Sequence, residues 1–557
     1  MKFEEIVTLL GDFGLYQRLM YIIPCYAAIC TAFNGIQLIY TLYVPDHRCR
    51  IPELGANDSW GIDASIVRQF VPTRPCAGAE EGDCFDRCRL FAANSTNETV
   101  TCSDGWVYDT SDMMSTFATE NNFVCSRERQ FLLTTVSQSY FYGLLVGSLV
   151  TGFISDKFGR RTTLFIYLAI QGLSNLISGL VSGVVEFWIS RFVSGMASTG
   201  VFPTAFVIGI EFVGPSMRLH SGFIIEYTFT LGLLVTALLA FLLQNWRWIS
   251  IASACISFAS LPAAFFLPES PRWLLALGRH SEAELVIRKA AKVNGVQLPD
   301  ELKLKLSDSD QSSDSPGSSK ENCLSVFRYR RLVCLFANVI FQWLVVALVY
   351  QGLSLGAGSL PGSIFLTSSL NAVSEGCGYF MAHLLLRWRG RKAPHIFSMC
   401  LCGLVLIACI FPTVLGSDGL GGLLLTLALL GKVGVSASFG IIYLWTAEQV
   451  PTSMRQIVLG VAALASRVGS ALGPLIVNLS DFVETSLGNA LPLVLYGVCS
   501  LAAGLAASQM PETAGRTLPE TLREGDELMK LQGLLEVKDD DAADAEYQQL
   551  TTLRSDK

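Results

Sequence analysis

The sequence predicts an all-α membrane protein of twelve transmembrane helices, arranged as two pseudo-symmetric six-helix bundles. Three observations lead there: long apolar stretches in a weakly charged chain, one polar loop rich in cysteines and glycosylation sequons, and signatures that occur twice in the same order. Of the 557 residues, 51% are hydrophobic and only 16% are charged, against about 25% charged in soluble domains. The charges are clumped, which leaves stretches of about 18 or more mostly apolar residues. About 20 such residues cross a bilayer as a helix, because a helix satisfies its own backbone hydrogen bonds where water cannot.

The apolar stretches fall at about 19–43, 131–154, 163–184, 187–210, 221–243, 248–267, 332–353, 362–386, 394–413, 420–446, 456–480 and 489–509. The first is too long for a cleavable signal peptide, and no small-residue cleavage site follows it before Pro45. The expected organisation is therefore a short N-terminus (1–18), a first bundle (19–267) with the polar loop 44–130 inserted, a loop (268–331), a second bundle (332–509) and a tail (510–557).

Loop 44–130 holds Cys49, Cys76, Cys84, Cys88, Cys102 and Cys125, and sequons at Asn57, Asn94 and Asn97. Cysteines and sequons together in one polar loop point to an oxidising, extracellular side and to disulfides, with the pairing left open. Without a CxxC pair or ligand-spaced histidines, no metal is expected. If this loop faces out, alternate loops face in, and those carry the basic residues: Lys157, Arg160 and Arg161; Arg218; Arg272, Arg279, Arg288, Lys289, Lys292, Arg328, Arg330 and Arg331; Arg387, Arg389, Arg391 and Lys392; and Arg455. The short outer loops hold almost no basic residues, Arg247 being the one clear exception. Both termini are then cytoplasmic, and the chain is a multi-pass protein of the plasma membrane. The net charge of −7 comes partly from the acidic tail (Asp539, Asp540, Asp541, Asp544, Glu546), read as solvated like the Ser/Asp-rich run at about 306–320. Nucleic acid is not an expected partner; the bilayer and a small organic ion are.

Three signatures occur twice at a nearly constant offset. Gly159-Arg160-Arg161 after the second span matches Gly390-Arg391-Lys392 after the eighth. Glu211 and Arg218 flank a proline-containing link after the fourth span, as Glu448 and Arg455 do after the tenth. Pro268-Glu269-Ser270 ends the sixth, and Pro511-Glu512-Thr513 the twelfth. Such duplication is the pattern of a carrier built from two six-helix halves. At the inner face, Asp156 near a helix end and the arginines of the short loop form a charge latch with Glu211, Glu448 or helix termini. Asp156, Gly159, Arg160, Arg161, Glu211, Arg218, Glu448 and Arg455 are the gating candidates.

Gly152 to Arg161, with Ser155-Asp156 and Gly159-Arg160-Arg161, resembles the loop motif of the major facilitator superfamily between its second and third helices. Pro45 to Arg50, Pro268 to Gly295, Thr446 to Arg455 and Pro511 to Glu520 together resemble its organic cation/anion/carnitine transporter family, and most closely the organic cation/carnitine branch. The likeness runs from Gly11-Asp12-Phe13-Gly14 to about Leu522. It implies the major facilitator fold and secondary transport of small organic ions, cations or carnitine-like zwitterions, by alternating access. Gln449-Val450 and Met454-Arg455-Gln456 depart from the family's usual residues at the inner gate.

A charge at the bilayer centre costs about 2.5–3.5 kcal/mol on insertion scales, so it faces a cavity and serves a function. Three sit near mid-span, all in the second half: Glu375, Lys432 and Arg467. Arg467 is read as the counter-ion of a substrate carboxylate, with a permanent salt bridge to Glu375 as the alternative. The resemblance adds that cation transporters carry Asp at the Arg467 position, whereas the anion and carnitine branches carry Arg. Glu375 is placed to meet an ammonium; Lys432 either contacts substrate or pairs structurally. Glu226, nearer a helix end, ranks lower. Of the aromatics Tyr140, Tyr142, Phe202, Tyr227, Trp343, Tyr350 and Tyr443, those taken as substrate-binding are Tyr350, Trp343 and Tyr227, through cation–π attraction.

No phosphate-binding Gly-x-x-x-x-Gly-Lys-Ser/Thr loop is present, so neither a pump nor an enzyme is expected, and no cofactor. Uniport down the membrane potential, Na⁺ coupling and anion exchange all fit the same charges, with Na⁺ or H⁺ as the candidate coupling ion. Two other functions fit as well: an organic anion exchanger of the same family, and a transport-inactive, receptor-like relative.

Overall fold

The computed structural model describes residues 3–75, 83–92, 95–299, 323–415, 420–451, 454–477, 486–515, 519 and 521–537. Twelve membrane helices follow in chain order: α1 (Leu15–Thr41), α2 (Arg127–Phe158), α3 (Arg160–Leu180), α4 (Val184–Glu211), α5 (Arg218–Leu243), α6 (Trp246–Ala259), α7 (Arg330–Leu355), α8 (Ile364–Trp388), α9 (Lys392–Ala408), α10 (Gly421–Gln449), α11 (Arg455–Val477) and α12 (Ser486–Ala507). Ten of these stretches are long and apolar enough to be spans on those grounds alone. The remaining two are α2 and α8, whose sequences carry polar residues such as Gln138, Ser139 and Glu375. Both lie where the two halves of the molecule meet, so their polar faces never touch lipid. The α6 helix ends earlier than expected and continues as a 3₁₀ turn (Leu261–Phe265), because Pro262 withholds a backbone donor.

Helices α1–α6 pack together, as do α7–α12, and the halves meet chiefly through α5 against α8 and α2 against α11. Within the first half, α2 crosses α4 at Gly143 and Gly195, where a Cβ would run into the backbone of the opposite helix. The core of each half is built from the inward faces, with Trp445, Tyr379 and Tyr496 fully buried in the second. A helix at His280–Asn294 lies under the first half, and Asn294 ties it to α1 by accepting from the Tyr16 amide at 2.8 Å.

The segment between α1 and α2 forms a small disulfide-bonded domain. Its strands pair as β1 (His47–Cys49) with β6 (Trp106–Tyr108), β2 (Thr73–Pro75) with β3 (Asp83–Phe85), and β4 (Arg89–Ala92) with β5 (Ser95–Thr101). Cys49 joins Cys102 and Cys88 joins Cys125. Cys76 and Asn94 lie outside the described residues, as do the side chains of Cys84 and Asn97. Asn57 is exposed. Its neighbour Asp58 faces inward and holds Arg48 with both side chains almost fully buried, at 2.5 Å, while accepting from the Ile51 amide at 2.7 Å.

Arg247, the basic residue of the short loops on that face, anchors this domain. It donates to Glu120 at 2.8 Å and to the Val181 carbonyl at 2.9 Å, and Trp246 donates to the other Glu120 oxygen at 3.0 Å. Burial works against the Glu120 carboxylate, but the hydrogen bonds from Arg247, Trp246 and Ser115 outweigh it and hold its pKa below the usual glutamate value. A lowered pKa means this anchor is fully present above the unfolded pKa of about 4.3 and is lost as pH falls through the folded value. Proteolysis of the link between the domain and α2 is therefore expected to accelerate on acidification below about pH 4 in the native chain, with Glu120→Gln cleaved readily at every pH. Asp58→Ala leaves Arg48 buried without its partner, a loss of about 3–5 kcal/mol; the expected result is an unfolded domain and a large fall in thermal midpoint and surface delivery.

Candidate functional site

Two sets of charged groups occupy the seam between and beneath the bundles. The first lies on the face opposite the disulfide-bonded domain and repeats in both halves. Between α2 and α3 the chain turns at Gly159, whose φ of +95° is open to glycine alone at little cost. The free amides at the start of α3 then point at Glu269, which accepts from Arg160 at 2.9 Å and Arg161 at 3.1 Å. Gly390, with φ +79°, makes the same turn before α9. There Glu512 accepts from the amides of Arg391 at 3.0 Å and Lys392 at 2.9 Å. A carboxylate at a helix N-terminus satisfies orphan donors and opposes the helix dipole. The duplicated Pro-Glu after the sixth and twelfth helices is thus the cap of the third and ninth. Glu269 and Glu512 were absent from the gating candidates, although their repetition was the available signal.

The latch itself closes differently in the two halves. Arg391 forks onto Glu448 with Nε and Nη2 both at 3.0 Å, and Thr513 donates to the same carboxylate. In the first half Arg160 pairs with Asp156 at 2.7 Å within its own turn, and Arg161 donates to the Ala264 carbonyl at 2.6 Å. Asp156 therefore engages Arg160 rather than a distant glutamate's partner. Glu211 ends α4 beside Ser270, within the field of Arg160 and Arg272. Arg218 and Arg455 open α5 and α11, and Arg455 reaches the Val450 carbonyl at 3.4 Å.

The second set lies within the membrane. Glu375 on α8 and Lys432 on α10 are both wholly buried and form an ion pair at 2.9 Å. Lys432 also donates to Ser354 at 2.6 Å and stands over the Tyr350 ring, 3.5 Å from its centroid. Tyr350 donates to Glu375 at 2.8 Å. Helices α7, α8 and α10 thus bring three of the expected site residues into one knot. Trp343 lies one layer away, donating to Thr446 at 2.9 Å with its ring edge-on to Tyr443. Tyr227 packs beside Phe223 on α5, apart from the ion pair.

The alternative role of Arg467 is not realised: Glu375 takes Lys432 instead. Arg467 on α11 is half-buried in the field of Tyr140 and Tyr443, and its Nε has no hydrogen-bond partner among the described residues. The second half does not hold all the buried charge. Arg191 on α4 is 1% exposed, donates to the Asn34 carbonyl at 2.9 Å and the Asn175 side chain at 3.1 Å, and lies 5.2 Å from the Tyr140 ring. Glu226 on α5 is 8% exposed against α8. Glu226, ranked lower as nearer a helix end, lies on the helix that meets α8, whereas Arg191, which the sequence did not single out, is held inside the first half between α1, α2 and α3.

On the side of the disulfide-bonded domain, a cavity of about 780 Å³ opens between the halves, lined by Asp46 and Arg87 of that domain and by Gln130, Ser137, Leu355 and Pro474 of the bundles. Leu355 adjoins Ser354, the partner of Lys432. On the opposite side the halves are closed, with His220 of α5 against His383 of α8 at 5.0 Å between ring centroids.

Residues 89–524 match the family model described as sugar (and other) transporter. The chain belongs to that family. It is 33% identical over 537 residues to an organic cation transporter protein of Drosophila melanogaster, covering 95% of each chain. It is 32% identical to the human organic cation/carnitine transporter 2, covering 96% of this chain and 95% of that one. Solved structures of the proton:xylose symporter XylE superpose with a TM-score of 0.60 at 15% identity, over 93% of this chain and 99% of that one. These bear out the expected major facilitator fold and the resemblance to the organic cation/carnitine transporters.

Within this transporter fold, the Glu375–Lys432 pair is expected to behave as a unit. Glu375→Gln alone strands a buried ammonium, whereas Glu375→Gln with Lys432→Met removes both charges. The single variant should lose about 3–5 kcal/mol of stability and the double variant much less, measured as thermal midpoints of the purified chain in detergent.

Proposed function

We propose that the chain is a plasma-membrane carrier of small organic cations and zwitterions, with carnitine-like amines as the preferred cargo. The observation that carries this reading is the knot of Glu375, Lys432 and Tyr350. Glu375 and the Tyr350 face are what an ammonium binds, and Lys432 already holds an ammonium there. A substrate ammonium replaces Lys432 against Glu375. The released Lys432 and the uncommitted Arg467 then receive the substrate carboxylate, for which the planar guanidinium fork is suited. Neutrality is kept in both states, so neither demands an unpaired charge in low dielectric.

The names of the relatives support the cargo class, and the duplicated inner latch supports alternating access by rocking of the halves. The disulfides and the exposed Asn57 support an extracellular disulfide-bonded domain and cytoplasmic termini. In the proposed cycle, His220 and Phe223 of α5 against His383 of α8 hold the cytoplasmic side shut while the cavity beneath the domain receives substrate, and Asp156–Arg160, Arg391–Glu448, Glu269 and Glu512 keep each bundle rigid.

The test is uptake of labelled carnitine, tetraethylammonium and a small aromatic carboxylate by expressing cells, with and without Na⁺. The wild type is expected to carry carnitine best. Arg467→Asp removes a charge-assisted bond of about 1.5–3 kcal/mol, so carnitine uptake should fall by at least about tenfold while tetraethylammonium uptake is kept or raised. Preference for the aromatic carboxylate in wild type would instead mark an organic anion exchanger, and uptake of none a transport-inactive relative.

A further inference from the structure

A second cavity, of about 530 Å³, lies at the start of α7, where Arg328, Arg330 and Arg331 line it together. Its other walls are the end of α12 at Gln509 and Met510 and a C-terminal helix (Leu522–Val537). That helix is pressed onto the second half at Gly525, where a Cβ would stand 2.8 Å from Pro451 and 3.2 Å from Leu332. Glu512, just beyond Gln509 in the chain, caps α9, which puts the cavity on the closed face.

Charge in this cavity is one-sided. Among the described residues no ion pair engages Arg328, Arg330 or Arg331. Asp526 is the one acid of the lining, and it is buried and paired with Lys530 at 3.2 Å. Arg330 and Arg331 also open α7, whose first turn carries no acid, so the helix dipole adds to their field instead of opposing it. Arg160 and Arg391, on the same face, are each answered by a carboxylate. Enforcing topology needs positive charge, but it needs neither a cavity nor arginine in place of lysine. Beneath the arginines the lining turns apolar, with Leu335 and Met510 buried. On the outer surface Cys334 is exposed, and Phe327 beside the cluster is 70% exposed, at the depth where a membrane helix begins.

We propose that this cavity binds the phosphorylated headgroup of an anionic lipid, a phosphoinositide in preference to a singly charged one. Guanidinium forks bind phosphate oxygens bidentately, and three of them side by side call for more than one phosphate. Basic pockets beside membrane helices on the cytoplasmic side are suited to such headgroups. The apolar floor and the exposed Phe327 favour a headgroup carrying acyl chains over a free phosphate. Bound there, the lipid supplies the counter-charge that the protein leaves out and ties α7, α12 and the C-terminal helix together. The topology proposed above enters only in assigning the lipid to the cytoplasmic leaflet.

The test uses the purified full chain in a neutral detergent, titrated with short-chain phosphatidylinositol bisphosphate, short-chain phosphatidylcholine or soluble inositol trisphosphate, and reads the thermal midpoint. The phosphoinositide is expected to raise the midpoint saturably, with an affinity that falls as salt is added. Phosphatidylcholine should not raise it, and inositol trisphosphate should bind at least about tenfold more weakly because it leaves the apolar floor unfilled. Arg328→Gln, Arg330→Gln and Arg331→Gln together should weaken phosphoinositide binding by at least about tenfold. Gln509→Glu covers the case in which that variant fails to fold: it sets an acid on the cavity wall and should bring a fall of the same kind. Arg387→Gln with Arg389→Gln, on the same face but outside the cavity, should leave binding unchanged. The proposal is overturned by a wild-type midpoint that the phosphoinositide does not move, by an equal shift with phosphatidylcholine, or by equal affinity for inositol trisphosphate, which would mark a soluble phosphate site. It is overturned equally by Gln509→Glu or the arginine variant binding as the wild type does, or by an equal loss in the Arg387 and Arg389 variant. None of these measurements involves transport, so failure of the carrier reading would show in the uptake assay alone.

Discussion

Lys432 and Glu375 are wholly buried and 2.9 Å apart, and neither could remain charged there without the other. Much of the membrane region follows from that requirement of local neutrality. It explains why α8 carries a glutamate at all, why α10 delivers its lysine to the same depth, and why the Tyr350 and Ser354 hydroxyls of α7 turn toward the pair.

The same requirement is met in other ways elsewhere. Among the described residues Arg191 meets no carboxylate and is held by the side-chain oxygens of Asn34 and Asn175 and the Asn34 carbonyl, which spread its charge over a polar network. On the closed face the carboxylates of Glu269 and Glu512 cap helix N-termini, so that backbone dipoles supply the positive end. On the opposite face Arg247 breaks the charge asymmetry of the loops, because Glu120 of the disulfide-bonded domain is there to receive it. An ion pair that locks a domain to a helix end is worth an exception to the topological rule.

The closed face and the open cavity describe one state of a two-state machine. Arg391 and Glu448, Arg160 and Asp156, and the stacked His220, Phe223 and His383 all lie on one side. The cavity beneath the disulfide-bonded domain lies on the other, with Leu355 of α7 and Pro474 of α11 among its lining residues. Opening the closed side breaks the contacts between halves while leaving the caps within each half intact. Glu269 and Glu512 bind helices of their own bundle, which lets each bundle move as a rigid body.

The sequence by itself determined the membrane character, the helix order and the two-fold repeat, because hydrophobic length and duplicated motifs are local properties of the chain. It also placed Glu375, Lys432 and Arg467 at mid-depth, since depth follows from position within a span. It could not say who pairs with whom. That Glu375 takes Lys432 and not Arg467, and that Arg191 is held by Asn34 and Asn175, were decided by the rotation and crossing of helices far apart in sequence. The role of the duplicated Pro-Glu was hidden for the same reason: its partners are the amides of helices that begin more than a hundred residues earlier. Pairing in a membrane protein is set by which faces the packing brings together, and only the tertiary structure holds that information.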